Sequence, residues 1–176
     1  MIFDGAKSTP YREEDPPNPL SIYADTKLAG ELAVMNGAPR HLVVRTGWLF
    51  GPRGTNFLKQ LLEKRQTEEV VFAFEDQRSQ PTHQYDFVDA VLELVKRNET
   101  GVWHIANSGE ATQLEVVRAA FEIAKIGAES VRPIRRGQGG RTALRPRSSV
   151  LDCSKLAAAG ITLRPWIDAL RASLKV

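Results

Sequence analysis

Strand-length apolar runs alternate along the 176 residues with amphipathic segments of helical length, which predicts an α/β domain built on a mainly parallel sheet. Two further observations support that class. The strand-like runs are apolar at consecutive positions, as in Leu42-Val43-Val44, which suits strands covered on both faces. Hydrophobic residues make up 42% of the chain, enough for one core, and the length fits one domain.

The elements follow in chain order. Residues 1–19 read as loop, because Ser8-Thr9-Pro10 and Pro16-Pro17-Asn18-Pro19 exclude regular structure around the acidic Glu13-Glu14-Asp15. Asn18 has an N-cap side chain and Pro19 the fixed φ of a first helical position. Leu20, Tyr23, Ala24, Leu28, Leu32 and Met35 then recur at helical spacing until Asn36-Gly37 stops the helix. Residues 41–46 and 70–74 read as buried strands flanking a helix at 55–66. An amphipathic helix follows at 86–98, with Phe87, Ala90, Val91, Leu94 and Val95 on one side. Then come a strand at 102–106, a helix from Thr112 or Gln113 to Ile126, a short strand at 131–134, and helical pieces at 156–159 and 165–174. No repeat, low-complexity tract or linker divides the chain.

Composition removes several function classes. The single cysteine, Cys153, excludes an internal disulfide and a zinc site built on cysteine pairs, and points to a reducing compartment. No apolar run is long enough to span a bilayer and the first residues lack a signal-peptide layout, so the expectation is a cytoplasmic protein with no membrane partner. The formal charge of +3 demands no nucleic acid. Between Glu129 and Asp152 lie six arginines and no acid: Arg132, Arg135, Arg136, Arg141, Arg145 and Arg147. Without interleaved aromatics to stack bases, this stretch reads as a solvated loop, or as guanidinium forks for a diphosphate. His41, His83 and His104 have no metal-ligand spacing, so they read as structural and no metal is expected.

Gly47 to Gly54, between a strand and a helix and with Glu75-Asp76 about 20 residues further on, has the outline of a dinucleotide-binding loop. The chemistry opposes it. Trp48, Leu49 and Phe50 fill the turn and Pro52 removes an N–H, so the segment reads as an ordinary strand-to-helix connection lining a cleft.

Tyr23 and Lys27 are the most informative pair. A spacing of four puts both on one helix face, one turn apart. A phenol titrates near pH ~10, and a nearby ammonium favours the phenolate, which suits proton transfer to a carbonyl oxygen. Spacing alone leaves open a half-buried ring beside a solvated lysine.

The blocks Ile2-Phe3-Asp4-Gly5 and Tyr23-Ala24-Asp25-Thr26-Lys27-Leu28-Ala29-Gly30-Glu31 resemble the extended short-chain dehydrogenases. Further blocks narrow the resemblance to the dTDP-4-dehydrorhamnose reductases: Arg45-Thr46-Gly47-Trp48-Leu49-Phe50-Gly51, Asp76-Gln77 with Pro81-Thr82, Gly101-Val102-Trp103-His104, Arg145 to Asp152, and Pro165-Trp166-Ile167-Asp168. Ala24 and Thr26 stand where that family usually has glycine and serine, and Ser79 replaces a usual glycine.

The resemblance covers essentially the whole chain. It implies a partial Rossmann-like, doubly wound parallel sheet with a C-terminal substrate-binding region, and reduction of dTDP-4-dehydro-L-rhamnose to dTDP-L-rhamnose with NADPH or NADH. It implies Tyr23 as general acid, Lys27 as its partner and a ribose ligand, and Trp48 as a ring beside the sugar, with a plain core aromatic as the open alternative for Trp48. In the family a glycine-rich nucleotide-binding half and a catalytic Ser or Thr precede Ile2. Residues 1–176 are therefore expected to form one substrate-side unit that by itself binds NADPH poorly and turns over little, the rest coming from a second chain, from self-association or not at all. Two alternatives stay open: a non-catalytic module like the regulatory subunit of methionine adenosyltransferase, and a different nucleotide-sugar epimerase or dehydratase.

Overall fold

The structure, a computed structural model, describes residues 2–54, 56–65, 70–138 and 144–174. Residues 2–21 run without regular structure but are firmly tethered. Phe3 and Tyr11 stack at 4.2 Å and pack with Ile2 and Leu151. The Tyr11 hydroxyl donates to Asp4 Oδ1 (2.7 Å), and Asn18 Nδ2 donates to Asp4 Oδ2 (2.9 Å). That second bond corrects the expected cap, since the Asn18 side chain is committed to Asp4. Ser21 caps the helix instead, its Oγ accepting from Ala24 N at 3.3 Å, and α1 spans Ile22–Gly37.

The remaining elements are β1 (Leu42–Arg45), β2 (Trp48–Phe50), α2 (Phe57–Arg65), β3 (Val71–Phe74), β4 (Arg78–Ser79), β5 (Pro81–His83), α3 (Gln84–Lys96), β6 (Gly101–His104), β7 (Ala111–Thr112), α4 (Gln113–Ala124), a 3-10 turn (Ala128–Ser130), β8 (Val131–Ile134), α5 (Ser154–Ala158) and α6 (Trp166–Leu174). Every predicted helix and strand longer than three residues is present, with boundaries that agree or differ by up to three residues. Three strand pairs are parallel: β1 with β6 (Val43 opposite Val102), β2 with β5 (Leu49 opposite Thr82) and β3 with β8 (Phe72 opposite Arg132). β4 and β7 pair antiparallel. The parallel class is as expected, but among the described residues it is built from two-stranded pairs rather than one continuous ladder.

The glycine-bearing stretch at 47–54 also differs from expectation. It is not a plain connection, because Trp48–Phe50 is itself a strand. Strands β2, β4, β5 and β7 have two or three residues each, too few for any hydrophobic period to register. Gly47 opens the turn between β1 and β2 because a Cβ there would overlap the Gln80 carbonyl oxygen.

The main core lies where α4 packs on β3 and β8 and against α6, with Phe50, Leu58, Val71, Val117, Phe121 and Leu170 at its centre. A second cluster joins α3, β6 and α5 through Leu94, Trp103, Ile105 and Leu156. Helix α4 is fixed at its start by a capping box: Thr112 Oγ1 accepts from Glu115 N (3.1 Å) and Glu115 Oε2 accepts from Thr112 N (2.6 Å). Buried Gln80 bonds both backbone groups of Leu151 (3.0 and 2.7 Å), so a side chain takes the place of a neighbouring strand.

Candidate functional site

Because Ser21 caps α1, Tyr23 falls in the first helical turn and Lys27 one turn further on. The Lys27 ammonium lies over the Tyr23 ring, 5.5 Å from its centroid, a cation–π contact. Tyr23 is 65% exposed, so its phenol is presented rather than packed away. The reading of this ring as a half-buried filler does not hold.

Two cavities meet at this tyrosine. The first, about 480 Å³, is lined by Tyr23, Lys27, Glu31, Val44, Arg45 and Thr46 among others. The second, about 500 Å³, is lined by Tyr23, Thr46, Trp48, Leu144, Arg145 and Pro146 among others. Tyr23 and Thr46 are common to both walls, so the phenol stands on the divide, with Lys27 on one side and Trp48 on the other. Trp48 is held there by β2, and its ring meets Phe57 edge-on at 5.8 Å. The structure thus gathers all three sequence-predicted residues at one place.

Around them sit residues that sequence reasoning passed over. Glu31 lies four positions beyond Lys27 on the same stripe of α1, and its carboxylate pairs with Arg45 at the end of β1. The Thr46 hydroxyl is buried with no hydrogen-bond partner among the described residues, as is that of Ser79 in β4. The continuation Tyr23, Lys27, Glu31 was a legible signal. The partner on β1 was not, because nothing local links positions 31 and 45.

The basic stretch is less uniform than a solvated loop. Arg135 pairs with Glu75 (2.6 Å) and Arg136 with Asp76 (3.3 Å), and Arg132 donates to the Glu129 carbonyl. Arg145 lines the second cavity. Arg141 lies outside the described residues. The histidines are separate: His41 Nδ1 meets the Ala38 carbonyl, His83 Nδ1 faces Asp86 (3.3 Å), and His104 is fully buried. Burial pushes the His104 imidazole below its ordinary pKa, consistent with a neutral ring between Arg45 and the Asp152 carbonyl. Burial likewise pushes the Cys153 thiol up to about 11, which leaves it a poor nucleophile at neutral pH. No group of residues with metal-holding geometry occurs among the described residues, and no helix there is long and apolar enough to cross a membrane.

Parallel strand pairs under helices, with a tyrosine and a lysine one turn apart beside a cleft, make the fold Rossmann-like. A dTDP-4-dehydrorhamnose reductase structure from Clostridium acetobutylicum superposes with a TM-score of 0.93 at 31% identity, covering 98% of this chain and 61% of that one. A Bacillus anthracis dTDP-4-dehydrorhamnose reductase in complex with NADP gives 0.92 at 28%, over 98% and 61%. A UDP-galactose 4-epimerase shares the fold alone, at 0.80 and 21% identity.

The sequence matches the RmlD substrate binding domain over residues 1–176, and the chain belongs to that family. Among relatives, it is 38% identical over 168 residues to a dTDP-4-dehydrorhamnose reductase of Mycolicibacterium smegmatis, covering 94% of this chain and 51% of the relative. It is 36% identical over 171 residues to a dTDP-4-keto-6-deoxy-D-glucose reductase of Streptomyces niveus, covering 96% and 59%. The chain therefore spans between half and three fifths of the length of these relatives.

Proposed function

We propose that residues 1–176 form one substrate-side unit of a nicotinamide-dependent nucleotide-sugar 4-ketoreductase, which converts dTDP-4-dehydro-L-rhamnose to dTDP-L-rhamnose. The observation that carries this reading is the position of the Tyr23 phenol on the divide between two cavities, with Lys27 lining one and Trp48 the other.

The residues present fit the nicotinamide end of NADPH or NADH. The first cavity offers an ammonium at Lys27 to donate to ribose hydroxyls, beside a phenol at its rim. When bound there, the nicotinamide supplies a hydride to the ketone carbon. Tyr23 gives its phenolic proton to the oxygen that becomes the alcohol, and Lys27 stabilises the phenolate left behind. Trp48 presents a flat apolar face to the C–H side of the sugar, and Arg145 a guanidinium to the diphosphate. The phosphate end has no comparable cradle at residues 47–54, where a strand occupies the turn. A nucleotide-binding half that cradles the pyrophosphate is the natural complement.

NADPH oxidation with dTDP-4-dehydrorhamnose, measured with and without a separately supplied nucleotide-binding half, tests the reading. Turnover is expected, falling about 10²–10⁴-fold in Tyr23→Phe. Turnover that survives Tyr23→Phe, or none in either arrangement, overturns it.

A further inference from the structure

Helix α1 carries the candidate chemistry yet has little apolar attachment. Ala24 is its one buried residue and the half-buried Leu28 packs against the Ile2, Phe3, Tyr11 and Leu151 cluster, while Ile22, Leu32 and Val34 are exposed. Two apolar contacts on one face hold α1 to the fold without specifying angle, so a directional bond is needed to fix its rotation and with it the direction of Tyr23 and Lys27. One group on the helix is placed to do so. Glu31 lies on the Tyr23–Lys27 stripe, and its two oxygens receive both Nε (3.1 Å) and Nη2 of Arg45. The two side chains are only 12% and 8% exposed, Arg45 and Glu31 respectively.

Arg45 is itself fixed on its remaining sides. Its Nη1 donates to the Glu13 carbonyl (3.1 Å) and lies 3.4 Å from His104 Nε2, and its guanidinium sits 5.4 Å from the Phe3 ring centroid. Glu13 Oε1 accepts from the His104 amide (2.9 Å), and His104 Nδ1 meets the Asp152 carbonyl (3.2 Å). A two-pronged bond to an arginine held this way fixes distance and angle together. Small rotations of a helix are amplified at the tip of a tyrosine, where the chemistry happens.

We infer that Glu31 and Arg45 are positioning residues, a largely shielded clamp that locks the rotation of α1 so that Tyr23 and Lys27 face the first cavity. For its catalytic consequence the inference rests on the proposed reductase function. Its structural part stands independently.

The test compares Glu31→Gln, which keeps the shape of the side chain, with the reversed pair Glu31→Arg plus Arg45→Glu. Leu32→Ala, an exposed position on the same helix, serves as control. In the full 176-residue chain, amide exchange of residues 22–37 should speed up roughly tenfold or more in Glu31→Gln, while α4 keeps its protection. With the nucleotide-binding half supplied, kcat should fall about 100-fold at little change in KM for the sugar. The reversed pair should regain part of both, and Leu32→Ala should change neither.

Unchanged exchange of α1, or equal loosening of α1 and α4, overturns the clamp, the latter because it marks a general stability element. Selective loosening of α1 with kcat intact overturns its positioning role. If the unaltered chain shows no turnover, the reductase reading falls while selective loosening still upholds the clamp.

Discussion

Helices α4 and α1 are of similar length and are attached to the fold in opposite ways. In α4, Leu114, Val116, Val117, Ala120 and Phe121 are buried and a full capping box closes the first turn. In α1, Ala24 alone is buried, one serine caps the start, and Ile22 is 83% exposed. Apolar burial fixes α4 without direction and at high stability, since contacts of that kind sum over a whole face. Polar bonds fix α1 at a few points and leave its other face open. A helix that must present a phenol and an ammonium to a cavity cannot bury that face, so direction has to come from bonds that specify angle. The comparison teaches that the main core and the candidate site are stabilised by different physics.

The comparison breaks most visibly at Phe121. Truncation to alanine in the fully buried main cluster should cost about 3–5 kcal/mol, read as a lowered urea midpoint at unchanged slope. Exchange in α1 should rise only with global unfolding. A loss below about 1 kcal/mol would mean that α4 is not the apolar anchor described.

Next in size is an acid-range effect at Asp86, in the first turn of α3. Burial works to raise its carboxyl, but bonds from Arg164 (2.8 and 2.9 Å) and Asn107 (2.8 Å) outweigh burial and hold it below the ordinary carboxylate value. A depressed folded-state pKa contributes stability that is present above the unfolded value of about 4 and is lost as pH falls through the folded one. Asp86→Asn should therefore flatten the acid limb of a stability–pH curve. An unaltered limb would show that other carboxylates dominate it.

The smallest effect sharpens the contrast between caps. Thr112→Ala removes half of a capping box and should cost about 1 kcal/mol, seen in the thermal midpoint of the whole chain. Ser21→Ala, with one bond at 3.3 Å on a lightly packed helix, should cost less globally and appear mainly as faster exchange in the first turn of α1. Equal global losses would contradict the division drawn between the two helices.

Much of the fold was legible in sequence because its signals are local. Helices α3 and α4 announce themselves through a 3.6-residue period, and β1, β3 and β6 through short, largely apolar runs. The Tyr23–Lys27 pair was legible too, since a spacing of four on a helix needs no further information to place both on one face. The cap of α1 was misplaced for a tertiary reason: Asn18 has the right chemistry, but Asp4 fourteen residues away holds its amide.

The sequence by itself determined the α/β class, the order of the longer elements and the face that carries Tyr23 and Lys27, because those follow from periods within a single stretch of chain. Only the tertiary structure decided that β2 pairs with β5, that Trp48 arrives beside Tyr23, and that Glu31 meets Arg45 in a part-buried bidentate pair. Each of those joins residues far apart in the chain. Such contacts are chosen by which arrangement leaves the fewest buried polar groups unpaired across the whole molecule, and no local spacing encodes that choice.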